Sequence, residues 1–105
     1  MRRLLVEGKD DKRSVEELLR SCDITGIDYI HDCEGYSNLR KSILLHIKTC
    51  RRLGVVVDAD SEASDRYRSI RDLLLRASFA MPDMPDPEGT ITEHPETKWR
   101  FGVWI

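Results

Sequence analysis

Leu53-Gly54-Val55-Val56-Val57-Asp58-Ala59-Asp60 is the clearest strand signal in the chain, and the fold follows from it. Three consecutive valines suit a strand buried on both faces, which is the habit of parallel sheets covered by helices. The strand ends abruptly in two aspartates flanking an alanine. Upstream, Leu4-Leu5-Val6 is a second short apolar run, and it ends in Glu7-Gly8. Between them lies a third candidate strand, Asp28 to Asp32, containing Tyr29 and Ile30.

Helical stripes separate these strands. Val15, Leu18, Leu19 and Cys22 recur at helical spacing and predict a helix over residues 12–22, with Asp10 or Asp11 as N-cap. Ser14-Val15-Glu16-Glu17 offers a competing capping box one turn later. Gly35 and Ser37 mark a turn, and Leu39, Ile43, Ile47 and Cys50 form a second stripe, closing near Arg51-Arg52, where positive charge suits a helix C-terminus. Tyr67, Ile70, Leu73 or Leu74, and Ala77 predict a third helix. The order β-α-β-α-β-α favours an α/β fold, a mainly parallel sheet of about four strands flanked by three helices.

Pro82, Pro85, Pro87 and Gly89 make residues 80–89 a loop. Thr90-Ile91-Thr92 reads as a short strand, His94 to Thr97 as a turn, and Trp99 to Ile105 as a last strand. The sequence stops on Val103-Trp104-Ile105, the kind of end expected of a truncated chain or of one covered by a partner domain or a second copy.

Composition bounds the rest. A chain of 105 residues suits a single domain, residues 1–105. The net charge of -2 argues against a module that grips phosphates with basic side chains alone. Cys22, Cys33 and Cys50 are odd in number and unclustered, as reduced cytoplasmic thiols are. No stretch approaches the roughly 20 apolar residues of a membrane span.

Glu7, Asp58 and Asp60 stand at the carboxyl ends of the first and third strands. Ligands of open α/β sheets gather there. Were those strands neighbours, their ends would sit about 5 Å apart. Carboxylates that close need protonation, an arginine or lysine, or a divalent cation. Mg²⁺, a hard ion that takes oxygen ligands and keeps open positions for phosphate, suits the task, with Mn²⁺ as an alternative. The plainer account has Asp60 capping the third helix and Asp58 bonding turn amides. Lys9 is a loop lysine within reach of a phosphate, and Arg66, Arg68, Arg71 and Arg76 give the third helix a solvated basic face. His31 and Cys33 lie near a strand end with structural roles expected of both. Tyr29, Tyr36 and Tyr67 read as packing residues, as do Trp99 and Trp104.

Leu5-Val6-Glu7-Gly8-Lys9-Asp10-Asp11 resembles the first motif of TOPRIM domains, found in bacterial primases, type IA and II topoisomerases, ribosomal-RNA maturases and overcoming-lysogenization-defect nucleases. Gly54-Val55-Val56-Val57-Asp58-Ala59-Asp60 resembles the second. Asp32-Cys33-Glu34-Gly35-Tyr36-Ser37-Asn38-Leu39 and Phe101-Gly102-Val103-Trp104-Ile105 are similar to stretches of small bacterial and archaeal TOPRIM-like proteins. The resemblance implies a Rossmann-like TOPRIM fold, Mg²⁺ held by Asp58 and Asp60, Glu7 as catalytic acid or base or as a further ligand, and phosphodiester cleavage or transfer on nucleic acid. It leaves open whether this chain is an enzyme, a nuclease if active, or a non-catalytic binding module of the kind found in recombination mediators. The third acidic position common after the DxD would be sought just beyond the last strand, where this sequence stops, and no tyrosine has a topoisomerase context. A phosphate-accepting receiver domain fits less well, since Glu7-Gly8-Lys9 lacks the acidic pair expected after the first strand.

Overall fold

The computed structural model describes residues 2–22, 25–57 and 63–105, the side chain of Ala63 excepted. In chain order the elements are β1 (Arg2–Val6), α1 (Lys9–Ser21), β2 (Tyr29–Asp32), α2 (Tyr36–His46), β3 (Arg52–Val56), α3 (Ala63–Arg76), β4 (Thr90–Glu93) and β5 (Arg100–Trp104). They form an α/β domain with a five-stranded sheet in the order β2-β1-β3-β5-β4. β1 is parallel to β2 and β3, β5 is parallel to β3, and β4 closes the edge antiparallel to β5. The short strand read at Thr90-Ile91-Thr92 is β4, and with it the sheet has five strands where about four were expected.

Alternation along the strands sorts side chains onto two faces. Leu5, Leu53, Val55, Phe101 and Val103 point to one face. There they pack with Leu39 and Ile43 of α2 and with Tyr67, Ile70, Leu73 and Leu74 of α3 in a single core. Right-handed crossovers place α2 and α3 on this face and α1 on the other, against β1 and β2. α1 buries none of its residues, and Leu18 is largely exposed.

Two helix boundaries differ from expectation. α1 starts at Lys9 with Gly8 as its N-cap, because the carboxylate of Asp11, three residues in, accepts the Gly8 N–H at 3.1 Å. Neither Asp10 nor Asp11 is the cap, the helix runs unbroken through Ser14, and Lys9 is a helical rather than a loop residue. α2 stops at His46, five residues before Arg51: the N–H groups of Thr49 and Cys50 both turn back to the His46 carbonyl. That turn still buries Ile47 and Cys50, so the apolar stripe outlasts the helix. Arg52 therefore opens β3 rather than closing a helix.

The Pro-rich segment is pinned to α3. The buried Tyr67 hydroxyl donates to the Pro82 carbonyl at 2.7 Å, and Arg71 Nη1 donates to the Asp83 carbonyl at 3.1 Å. Arg71 is thus a latch rather than part of a solvated face. No helix among the described residues is long and apolar enough to cross a membrane.

Candidate functional site

β1 and β3 are parallel neighbours, with Val6 opposite Val56. The chain moves from β1 outward to β2, then returns across β1 to β3. The gap between β1 and β3 is therefore where strand order reverses, the place where a crevice opens at the carboxyl edge of such sheets. Glu7 is the first residue after β1. Val57 follows β3, and its N–H donates to the Trp104 carbonyl at 2.8 Å, carrying the ladder one residue further. Asp58 and Asp60, the expected metal ligands, come next and lie outside the described residues, as does the region where Asp60 would cap α3.

Glu7 has a partner that the sequence did not suggest. Arg66, in the first turn of α3, places Nη1 2.5 Å from Glu7 Oε1. Both side chains are largely buried, 19% and 14% exposed. The guanidinium lies over the Tyr36 ring, 4.6 Å from its centroid, and the Tyr36 hydroxyl donates to the Arg66 carbonyl at 3.1 Å. Tyr36 opens α2 and Arg66 opens α3, so the pair joins the starts of two helices to the end of β1. Arg66 is thereby withdrawn from the solvated face expected of α3, whereas Arg68 remains exposed. Its contact with Glu7 spans 59 residues, which no local pattern signals.

Around Glu7 opens a hollow of about 520 Å³, lined by Lys9 and by Asp11, Asp32 and Glu34. The Asp32 carboxylate accepts the Glu34 N–H at 2.8 Å, and the backbone at Glu34 and Gly35 takes positive φ of 59° and 123°. The Gly35 N–H donates to the Glu7 carbonyl at 2.7 Å, and the Cys33 N–H to the Val6 carbonyl at 2.9 Å. The β2–α2 turn is thus stitched to the end of β1. Gly35 suits this turn because a side chain at its φ would be strained. No local pattern marks Asp32 and Glu34 as site residues; their place on the hollow comes from β2 pairing with β1, Val6 opposite Asp32.

Cys33 is buried, and burial pushes its thiol above the ordinary range, so it is an inert packing residue rather than a nucleophile. His31 lies one residue back from the end of β2, opposite Leu5 and stacked on Tyr29, facing away from the hollow's acids toward His46.

The donor chemistry at this end of the sheet is all oxygen, which fits a hard divalent cation. Among the described residues, no three His, Cys, Asp or Glu side chains are grouped to hold a metal ion. Asp11 and Asp32 are engaged with backbone amides and Glu7 with Arg66. A cation here would need ligands beyond these, and the expected ones, Asp58 and Asp60, lie outside the described residues.

No curated protein and no solved structure shows a match to this sequence. A family model does match, from residue 1 to residue 105, under the description "Protein of unknown function (DUF3226)". The chain belongs to that family.

Proposed function

We propose that the chain is a TOPRIM-type domain that handles phosphodiesters of nucleic acid with Mg²⁺, as a nuclease or a related transferase, in the cytoplasm. One observation supports this reading: β1 and β3 lie side by side in parallel, so Glu7 and Val57, which follow the two strands, stand at one topological switch point. The sequence at those two places is the pair of motifs quoted above. The divalent ion, bound by Asp58 and Asp60, would supply charge neutralisation at the phosphoryl oxygens. Glu7, held by Arg66, would stand beside them, and Lys9 lies on the rim of the same hollow, within reach of a phosphate. An acidic chain can approach a polyanion in this way without a basic surface.

A second reading is a non-catalytic module on the same fold, binding nucleic acid or a protein partner. The Glu7–Arg66 pair favours it, since an arginine already neutralises the residue that a cation would otherwise engage.

Cleavage assays separate the two. Single- and double-stranded DNA and RNA are incubated with the protein in Mg²⁺ or Mn²⁺, beside Asp58→Asn and Asp60→Asn variants. The first reading expects metal-dependent cleavage lost in both variants. Absence of cleavage on every substrate supports the module.

A further inference from the structure

Among the described residues, one face of the sheet carries a helix over β1 and β2 but none over β3, β5 and β4. Arg2, Leu4 and Val6 of β1 point to the face opposite the core, in register with Arg52, Gly54 and Val56 of β3 and with Arg100, Gly102 and Trp104 of β5. α1 covers only the β1–β2 side of this face. Over β3, β5 and β4 the surface is a shallow apolar depression of about 210 Å³, lined by Leu4, Gly54, Gly102, Trp104 and Ile91. The Trp104 indole lies back along the two glycines: a Cβ at Gly54 would stand 3.3 Å from the ring and one at Gly102 2.7 Å from it. Ile91 is 67% exposed.

The register makes the amino-terminal edge of this face distinctive. Arg2, Arg52 and Arg100 are directly adjacent across three parallel strands. With strands about 4.8 Å apart, the row spans about 10 Å. All three are exposed. Glu93 faces Arg100 across β4, and Asp28 accepts the backbone N–H of Arg2 at 2.7 Å. Arg52, at the centre, has arginines on both sides.

We propose that this face docks an amphipathic helix with acidic residues in its last turn. Parallel sheets are stable with helices on both faces, and here the β3–β5 half of one face lacks its helix. With its C-terminus over the arginine row, such a helix would lie antiparallel to the strands, the direction that crossover helices take on parallel sheets. That terminus carries unsatisfied carbonyls and a partial negative charge. Acidic side chains there destabilise an isolated helix, and the three guanidiniums would compensate them. The apolar face of the helix would sit on the Trp104 indole and Ile91, the indole filling the space that Gly54 and Gly102 leave. Charge complementarity selects this occupant, and the inference stands whether or not the chain cleaves phosphodiesters.

The test uses two synthetic helices of about 18 residues with the same Leu/Ala face, one ending in a Glu-rich turn and one in a Lys-rich turn, beside a dodecameric oligothymidine. Amide NMR shifts of Gly54 and Gly102 report binding. The acidic helix should move these signals and bind about tenfold more tightly than its basic counterpart. Arg52→Gln with Arg100→Gln should remove that preference, and Arg52→Lys with Arg100→Lys should keep it, both with well-dispersed spectra. Equal affinity for the two helices, no binding at millimolar peptide, tighter binding of the oligonucleotide, or self-association through these amides without peptide would overturn the proposal.

Discussion

Arg66 donates to Glu7 at 2.5 Å, tying the first turn of α3 to the end of β1 across 59 residues of chain. An arginine thus compensates a carboxylate at the sheet's carboxyl edge. The pair holds the walls of the candidate site together and fixes the direction of the Glu7 side chain.

Arg66→Ala should therefore lower stability by about 1–3 kcal/mol, the range for a hydrogen bond to a charged group left half-made. Arg66→Lys should recover only part of this, because an ammonium cannot reproduce the planar stack on Tyr36. Urea denaturation of the three proteins measures both effects. Equal stability of the lysine variant and the wild type would show that charge alone matters.

His46 gives the domain a dependence on acid. Burial, then the Arg3 guanidinium, then His31, hold its imidazole below the ordinary value of 6.5. These outweigh the pull of the α2 C-terminus, which would favour the cation. Arg3 Nη1 lies 2.8 Å from His46 Nδ1, and since a guanidinium only donates, that nitrogen must be free of a proton. The unfolded chain then binds a proton that the folded one refuses. Stability should be level above about pH 7.5 and fall as pH drops below about 6.5. Thermal melts from pH 5 to 8 should show this slope, and His46→Gln should flatten it. An unchanged slope in the variant would place its source elsewhere.

Tyr67 bridges the core and the Pro-rich loop. It is 1% exposed, and its hydroxyl donates to the Pro82 carbonyl. Tyr67→Phe should cost about 1–2 kcal/mol, and Tyr67→Ala about 3–5 kcal/mol through the cavity it leaves. Proteolysis between Ala80 and Gly89 should quicken in both variants. Retention of wild-type stability in the phenylalanine variant would mean that the hydroxyl bond contributes nothing.

Gly102 holds the floor under Trp104. A methyl group there would meet the indole at 2.7 Å, so Gly102→Ala should push the ring outward. Because Trp104 is already 37% exposed, the ring can yield, and the cost should be only about 1 kcal/mol, the low end for overpacking. A red shift in tryptophan emission, with Trp99 packed on the core as the unchanged reference, reports the displacement. An unshifted spectrum would mean that the ring has room to spare.

The strands of this fold were legible because their apolar runs are short and sharply ended: Leu4 to Val6 and Leu53 to Val57 both fell where expected, and so did the loop over Pro82 to Gly89. Helix ends were less so. The start of α1 depends on Asp11 reaching back to a glycine amide, and glycine carries no cap signature. The end of α2 is hidden because Ile47 and Cys50 stay buried beyond the helix. At the candidate site, the β-α-β order left the adjacency of β1 and β3 open, since strand orders 1-2-3 and 2-1-3 share it and only the structure shows the second; Arg66 was not legible either, since on its own helix it reads as one of several solvated arginines. Only the tertiary packing of α3 against β1 turns it inward. The arginine row across β1, β3 and β5 was equally invisible, being a product of strand register.

The proposed divalent cation at the adjacent ends of β1 and β3, held through Asp58 and Asp60, is open to a simple test. Thermal melting with and without Mg²⁺, on the wild type and on Asp58→Asn with Asp60→Asn, addresses it directly. Mg²⁺ should raise the melting temperature of the wild type and leave the double variant unmoved. A wild type indifferent to Mg²⁺, or a double variant that responds as fully as the wild type, would contradict it.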